Sequence, residues 1–400
     1  MTKKSSFPSR FVLKYMLPAL FKDRSSLHVV KQQFRRYFGK TDPEKNCPVD
    51  QISLRVNEAC NLRCKSCGQW GENGHLLKKL QQGGKLDQLS FEVCKKIVHE
   101  TKDDHPVYYI WGGEPSLWKP LVPLFEELAK FNLHAALVTN AHNIDHMIEP
   151  LIETGSLKVL FLSLDGWDAQ SQNEARSPAG SKSSSNNFEK VIGIIDKVDE
   201  IKKRKKLSFP WIEPITVISD SNYKHLHEIR TLIQDKTQLH QIFYGWFITE
   251  QRAKLHETVF KNLFGFEPQY HRGYLKSCFN DVDPVVVAKT VNQIIENAKH
   301  KNCVPQFIPE IYSEEEIKRY YDDHTWDCGY HACESIYHVA EISPDGRVTP
   351  CRDYQDYICG NVNEQGFYDI WWGDKFKEFR GKLKKGLMPV CTRCCGLQGF

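Results

Sequence analysis

Cys60, Cys64 and Cys67 stand in the stretch ACNLRCKSCGQW with the spacing C-x3-C-x2-C. Three soft thiolates this close together suit zinc or an iron–sulfur cluster. Structural zinc takes four closed ligands, usually as two Cys pairs, whereas this loop supplies three at uneven separations. A four-iron cluster held by three cysteines keeps one iron free. A free iron is a place where a cofactor or substrate can chelate.

A second group of thiols lies far downstream. CESIYHVAEISPDGRVTPC puts Cys333 and Cys351 on either side of a β-hairpin with a Pro-Asp-Gly turn at Gly346, and CTRC adds Cys391 and Cys394. Four ligands from a hairpin and a closing loop could hold zinc or a second four-iron cluster. Cys328, Cys359 and Cys395 are surplus. Cys394 is preferred to Cys395 because a C-x2-C pair lets both sulfurs reach one metal site, and the Gly346 spacing favours Cys333 over Cys328. Cys47, Cys94, Cys278 and Cys303 read as small buried apolar residues. With 14 cysteines in 400 residues and no export signal evident, a reducing, cytoplasmic setting with metal-bound thiolates is expected rather than a disulfide framework.

The elements that must position these groups follow from the apolar pattern. DQISLRV alternates as a strand and runs straight into the Cys60 loop. Further strands are expected at PVYYIWGG, HAALVTNA, LKVLFLSLDG, PWIEPITVIS and HQIFYGWFIT, each separated from the next by a helical pattern. Such alternation predicts an α/β fold of parallel strands joined by right-handed crossovers, with loops and chemistry at the strands' C-terminal ends. The polar motifs fall at those ends: Gly112 to Pro115, Thr139 with Asn140, and Ser163 to Gly166. In FYGWF, Tyr244 and Trp246 alternate with Phe243 and Phe247, so one pair is expected to face the interior. The expected organisation is a basic, partly apolar extension over 1–48 and a barrel over 49–250. A helical connector over 251–325 and a Cys-rich hairpin-plus-helix domain over 326–400 follow.

Net charge is +4, too small for a case for nucleic-acid binding. Residues 1–50, however, carry eleven Lys/Arg against four Asp/Glu, a local net of +7. Their FVLKYMLPALF segment is expected to dock as a helix on the protein's own core, with a peripheral membrane contact as the alternative.

Taken in order, these motifs resemble the radical S-adenosylmethionine (SAM) enzymes. The resemblance implies a partial (β/α)6 TIM-type barrel in which Cys60, Cys64 and Cys67 hold a 4Fe–4S cluster whose free iron binds the SAM amino and carboxylate groups. It further implies that GGEP (Gly112, Gly113, Glu114, Pro115) receives the SAM amino group and that Thr139 and Asn140 lie near the cofactor. Ser163 and Asp165 approach the ribose, Arg176 pairs with the SAM carboxylate, and Asn222 lies near adenine. Ser66 departs from the pattern, since the position before the third cysteine is usually aromatic. The C-terminal thiols resemble the SPASM/Twitch extension, which implies one auxiliary 4Fe–4S cluster on Cys333, Cys351, Cys391 and Cys394.

The activity this implies is reductive cleavage of SAM to a 5′-deoxyadenosyl radical that abstracts hydrogen from a small-molecule or peptide substrate. A flavodoxin- or ferredoxin-type protein would donate the electron. A fully ligated auxiliary cluster would accept the substrate's electron, favouring dehydrogenation of a carbohydrate or cyclitol alcohol, with Arg176 as a catalytic residue. Maturation of a ribosomal peptide whose acidic leader binds the basic extension is the alternative within enzymes. A non-catalytic Fe–S or zinc scaffold is the alternative outside them.

Overall fold

The computed structural model describes residues 8–22, 27–28, 31–32, 42, 44–179 and 186–398, so parts of the basic extension and the serine-rich SKSSS lie outside the described residues. The strands are β1 (Gln51–Arg55), β2 (Leu62–Cys64), β3 (Val107–Trp111), β4 (Ala135–Thr139), β5 (Leu157–Ser163) and β6 (Arg176–Pro178). They continue with β7 (Trp211–Val217), β8 (Leu239–Phe243), β9 (Val304–Ile308), β10 (Val339–Ile342), β11 (Arg347–Thr349) and β12 (Gly360–Asn361). One sheet takes the order β12-β11-β10-β1-β3-β4-β5-β7-β8-β9, while β2 and β6 pair separately.

Strands β1, β3, β4, β5, β7 and β8 are the six expected, parallel throughout. Helices Phe91–Thr101, Leu121–Ala129, Ile148–Glu153, Asn187–Lys205 and Leu226–Ile233 cross between them. Local chemistry sets their ends; Ser90, for example, accepts the Val93 N–H and so satisfies one of the first-turn donors. Along each strand, alternate side chains part company. Ile52, Leu54, Ile110, Leu137, Leu160, Ile212 and Ile242 join the helices in the main core. Tyr109, Ala136 and Phe161 gather on the other face with Trp111, Val138 and Ile215. Alternation places Glu213, Gln241 and Gln306 on that inner face as well.

Three features depart from the sequence expectation. The connector is not wholly helical: besides helices Glu250–Phe264, Pro284–Ala298 and Glu314–Asp322 it contributes β9, which pairs parallel with β8. Its Pro305 hid the strand; proline is tolerated there because β9 is the sheet's edge. Strand β8 stops at Phe243, short of Tyr244 and Trp246, and the chain then passes so close to the Phe279 ring that a Cβ on Gly245 would lie 2.5 Å from it. Tyr244 is buried with its hydroxyl donating to the Ile311 carbonyl, so it is a core residue. Finally, the Cys-rich hairpin does not build its own sheet. β10 pairs parallel with β1, and β11 and β12 extend the same sheet.

The helical segment 9–22 docks on the end of the barrel away from the motifs. Phe11 is fully buried beside Leu239, Val304 and Trp211, and Tyr15 donates to the Asn302 carbonyl. Its outer face leaves Leu13 and Leu17 exposed.

Arg393, buried between two of the C-terminal thiols, ties their loop to helix Glu314–Asp322. It donates to the carbonyls of Trp326 (3.1 Å), Asp323 (3.1 Å), Thr392 (2.8 Å) and Tyr320. Its guanidinium also stacks 4.0 Å from the Tyr320 ring. Replacing Arg393 with Leu strands those carbonyls and is expected to cost on the order of 3 kcal/mol. Urea unfolding checks this, and an unchanged midpoint would rule the bridge out as a stability determinant.

Candidate active site

The Cys60 loop leaves β1 and is shaped by its own sulfurs. Cys60 Sγ accepts from the Leu62 N–H (3.4 Å), and Cys67 Sγ accepts from the N–H groups of Gln69 (3.4 Å) and Trp70 (3.3 Å). Side chains add to this donor shell: Arg176 Nη1 lies 3.7 Å from Cys64 Sγ and Asn140 Nδ2 lies 4.0 Å from Cys60 Sγ. Donors aimed at sulfur favour the thiolate form. Burial works the other way, pushing Cys64 up to about 11 against the nearby Arg176 charge, and raising Cys60 as well. Thiols of this kind lose their protons when metal binds. Among the described residues no three His, Cys, Asp or Glu side chains converge closely enough to hold a single ion. Three thiolates on one loop are a donor set that fits a four-iron cluster with one iron left free.

Gly112 and Gly113 are glycines because the chain after β3 presses on this loop. A Cβ on Gly113 would lie 2.2 Å from the Ala59 carbonyl and one on Gly112 2.7 Å from that of Asn57. The contact is sealed by Gly113 N–H to the Asn57 carbonyl (2.9 Å) and Glu114 N–H to that of Ala59 (2.8 Å). Glu114 itself points inward. Its carboxylate accepts from Thr139 Oγ1 (2.7 Å), Ser116 N–H (3.0 Å) and Asn140 N–H (2.8 Å), with burial raising its pKa against those donors. Three of its roughly four acceptor positions are thus already filled. Through these bonds Glu114 also fastens the end of β4 to that of β3. Pro115 opens the short turn behind it. Asn140 then bonds Asn61 Oδ1 (2.9 Å), so the β4 end reaches the thiol loop.

Ser163 and Asp165 close β5. Asp165 is 3 % exposed, accepts from the Val217 N–H (2.8 Å) and pairs with Arg176 Nε at 2.7 Å. Register puts Arg176 opposite Cys64, because β2 and β6 pair there. Burial opposes the Arg176 charge, but Asp165 and the Cys64 thiol hold its pKa above the ordinary value. A guanidinium is already fully protonated, so Arg176 is no base for a substrate proton. Asn222 is likewise engaged: its amide bonds Asp165 O (3.0 Å), Val217 O (2.9 Å) and the Ser219 N–H (2.9 Å). It shapes the loop after β7.

Two residues escaped sequence reasoning. Gln172 is fully buried, accepts from the N–H groups of Asp165 (2.9 Å) and Gly166 (2.8 Å) and donates to the Ser163 carbonyl (3.2 Å). Lys276, 7 % exposed, donates to the Cys67 carbonyl at 2.6 Å from 209 positions away. Gln172 left a faint signal as a polar residue in the helix after Asp165. Lys276 left none.

At the other end of the sheet, Cys333, Cys351, Cys391 and Cys394 come together. Cys351 and Cys394 share a hydrogen bond, while Cys391 and Cys333 each feel the Cys394 thiol; burial raises Cys391 and pushes Cys333 up to about 12. Cys395 packs against the cluster of Phe243, Phe279 and Ile308 at the barrel's inner face, and its Sγ donates to Asp353 Oδ2 at 3.3 Å. Cys328 lies near Gln398, and Cys359 near Arg380, so neither joins the four.

Comparison with known proteins agrees with this geometry. Residues 54–214 match the radical SAM superfamily model and residues 333–395 match that of the SPASM iron–sulfur cluster-binding domain. The chain is 23% identical over 364 residues, 86% of each chain, to the tungsten-containing aldehyde ferredoxin oxidoreductase cofactor-modifying protein of Pyrococcus furiosus. It is 37% identical over 68 residues, 16% of this chain and 27% of the other, to the SAM-dependent 2-deoxy-scyllo-inosamine dehydrogenase of Niallia circulans. The crystal structure of Streptococcus suis SuiB bound to SAM superposes with a TM-score of 0.57 at 15% identity, covering 83% of this chain and 68% of SuiB. The chain carries a radical SAM domain over residues 54–214 and a C-terminal SPASM iron–sulfur cluster-binding domain over residues 333–395.

Proposed function

We propose that this protein is a radical SAM oxidoreductase that dehydrogenates an alcohol of a carbohydrate or cyclitol type, with Cys60, Cys64 and Cys67 holding the SAM-binding 4Fe–4S cluster. The observation that carries the reading is the gathering of four thiols, Cys333, Cys351, Cys391 and Cys394, at one closed site. An auxiliary cluster with a protein ligand on every iron cannot bind substrate, and its natural role is to accept an electron. When bound, SAM and its cluster supply a hydrogen-abstracting 5′-deoxyadenosyl radical. The short match to a cyclitol dehydrogenase points to the same substrate class. A flavodoxin- or ferredoxin-type donor fits the need for single electrons.

This chain's own residues bind, orient and exclude water. Arg176, held by Asp165, offers its cationic edge to the SAM carboxylate beside Cys64. The segment Tyr270–Phe279 crosses the barrel mouth and is pinned to the thiol loop by Lys276, by Asn73 Nδ2 to the Leu275 carbonyl (2.6 Å) and by Ser277 N–H to Glu72 (2.6 Å). Oxidising an alcohol also requires a base for the hydroxyl proton. Glu213, 2 % exposed, sits on the inner face of β7 with Gln241 Nε2 at 3.5 Å. Burial pushes its carboxyl from 4.5 up to about 8, where a base works efficiently near neutral pH.

Three outcomes are expected. Anaerobically loaded protein given dithionite and SAM forms 5′-deoxyadenosine, Cys64→Ala forms none, and a polyol substrate leaves two hydrogens lighter by mass. Wild-type protein with its first cluster intact that releases no 5′-deoxyadenosine under any polyol would sink the catalytic reading. Secondly, Cys394→Ala loses the auxiliary iron while Cys395→Ala keeps it, as counted by iron analysis; the reverse would reassign the ligand. The third concerns Glu213. The unfolded chain ionises this group from about pH 4.5 and the folded chain only near 8, so it lowers stability progressively as pH rises across that window. Glu213→Gln should therefore melt higher than wild type at pH 8 and no higher at pH 4.5. The same variant should lose the rise in turnover through pH 8, falling roughly a hundredfold or more, while SAM cleavage persists. Retained turnover would assign the base elsewhere.

A further inference from the structure

Tyr274 lies at the centre of the segment across the barrel mouth and touches both thiol sites. On one side it packs on the Cys60 loop: a Cβ on Gly68 would fall 2.8 Å from its ring, and one on Gly273 would fall 2.3 Å from the Gly68 carbonyl. Only glycine at both positions allows so close an approach. On the other side the Tyr274 hydroxyl donates to Asp353 Oδ1 at 3.1 Å. The second carboxylate oxygen, Oδ2, accepts from Cys395 Sγ at 3.3 Å and lies 3.5 Å from Cys394 Sγ. Tyr354 completes the contact, its ring centre 5.4 Å from that of Tyr274.

We propose that Tyr274, Asp353 and Cys395 form a hydrogen-bonded set that fixes the charge facing the auxiliary cluster at Cys394, with Tyr274 and Asp353 as positioning residues and Cys395 as a donor rather than a ligand. The potential of an iron–sulfur cluster depends on nearby charge and on hydrogen bonding around its sulfurs. A carboxylate beside a ligand sulfur opposes the addition of an electron. The Tyr274 hydroxyl and the Cys395 thiol draw charge from that carboxylate and hold it in place. Because Tyr274 also rests on Gly68, the same side chain keeps the first thiol loop in register with the second. The inference rests on the auxiliary cluster and not on the substrate or the direction of the reaction, so it can fail while the oxidoreductase reading stands.

The test is a redox titration of the anaerobically loaded full chain followed by electron paramagnetic resonance, with iron counts and the SAM-induced change in the first cluster's spectrum as controls. Asp353→Asn is expected to move the auxiliary midpoint to higher potential, because a negative charge is lost. Tyr274→Phe is expected to move it to lower potential, because the carboxylate loses a donor while the ring still packs on Gly68. Iron content and the first cluster's response to SAM should match wild type in both. Unchanged midpoints, shifts of the same sign, or loss of auxiliary iron from Tyr274→Phe would overturn the proposal and leave Tyr274 a structural brace. If Asp353→Asn cannot hold its cluster, the sign of the Tyr274→Phe shift decides alone.

Discussion

One buried carboxylate organises the catalytic end of this barrel. Glu114 is 1 % exposed, and its oxygens receive donors from Ser116, Thr139 and Asn140 while its own backbone bonds Ala59 and Asn57. Three strand ends, those of β1, β3 and β4, therefore meet at a single residue. A buried charge with its acceptors filled is stable, and the same charge with a partner removed is costly. The thiol loop inherits its position from this arrangement, since Asn140 reaches Asn61 and Cys60 only when Glu114 holds the end of β4.

Asp165 fills the corresponding role at the end of the next strand, β5. Its backbone is clamped by Gln172 and Asn222, and its side chain joins the Val217 N–H to Arg176. Arg176 stands opposite Cys64 through the β2–β6 pairing. Two buried acids thus approach the same loop from either side of it, each through a neighbour that touches a thiol. The arrangement fixes the ends of β4 and β5 against the thiol loop.

The auxiliary site is joined to this centre by the sheet as well as by side chains. β10 lies directly against β1, so the hairpin carrying Cys333 and Cys351 is fixed to the strand that delivers Cys60. Segment Tyr270–Phe279 adds a second tie over the barrel mouth. Movement of one thiol site relative to the other would break both, which is the constraint expected if electrons pass between a reaction in the barrel and an acceptor beside it.

By itself the sequence determined the features whose physics is local. The thiol spacings, the six alternating strands, the Ser90 cap and the turn at Gly346 follow from side-chain period, capping and backbone freedom within a few residues. So did the identity of the motif residues at the strand ends. What those residues do was decided by the tertiary structure. Glu114 and Asn222 carry the polarity of ligand-binding groups, yet buried donors and acceptors must be satisfied, and neighbours brought in by folding satisfy them here. Arg176 is brought to Cys64 by the β2–β6 register and to Asp165 by an ion pair across the fold. β9 was hidden by a proline that only an edge position tolerates, and its pairing with β8 depends on a crossover of some sixty residues. Lys276 and Tyr274 reach the Cys60 loop across more than two hundred residues of chain, and no periodicity or spacing encodes such a contact, because proximity at that range is a property of the packed chain alone.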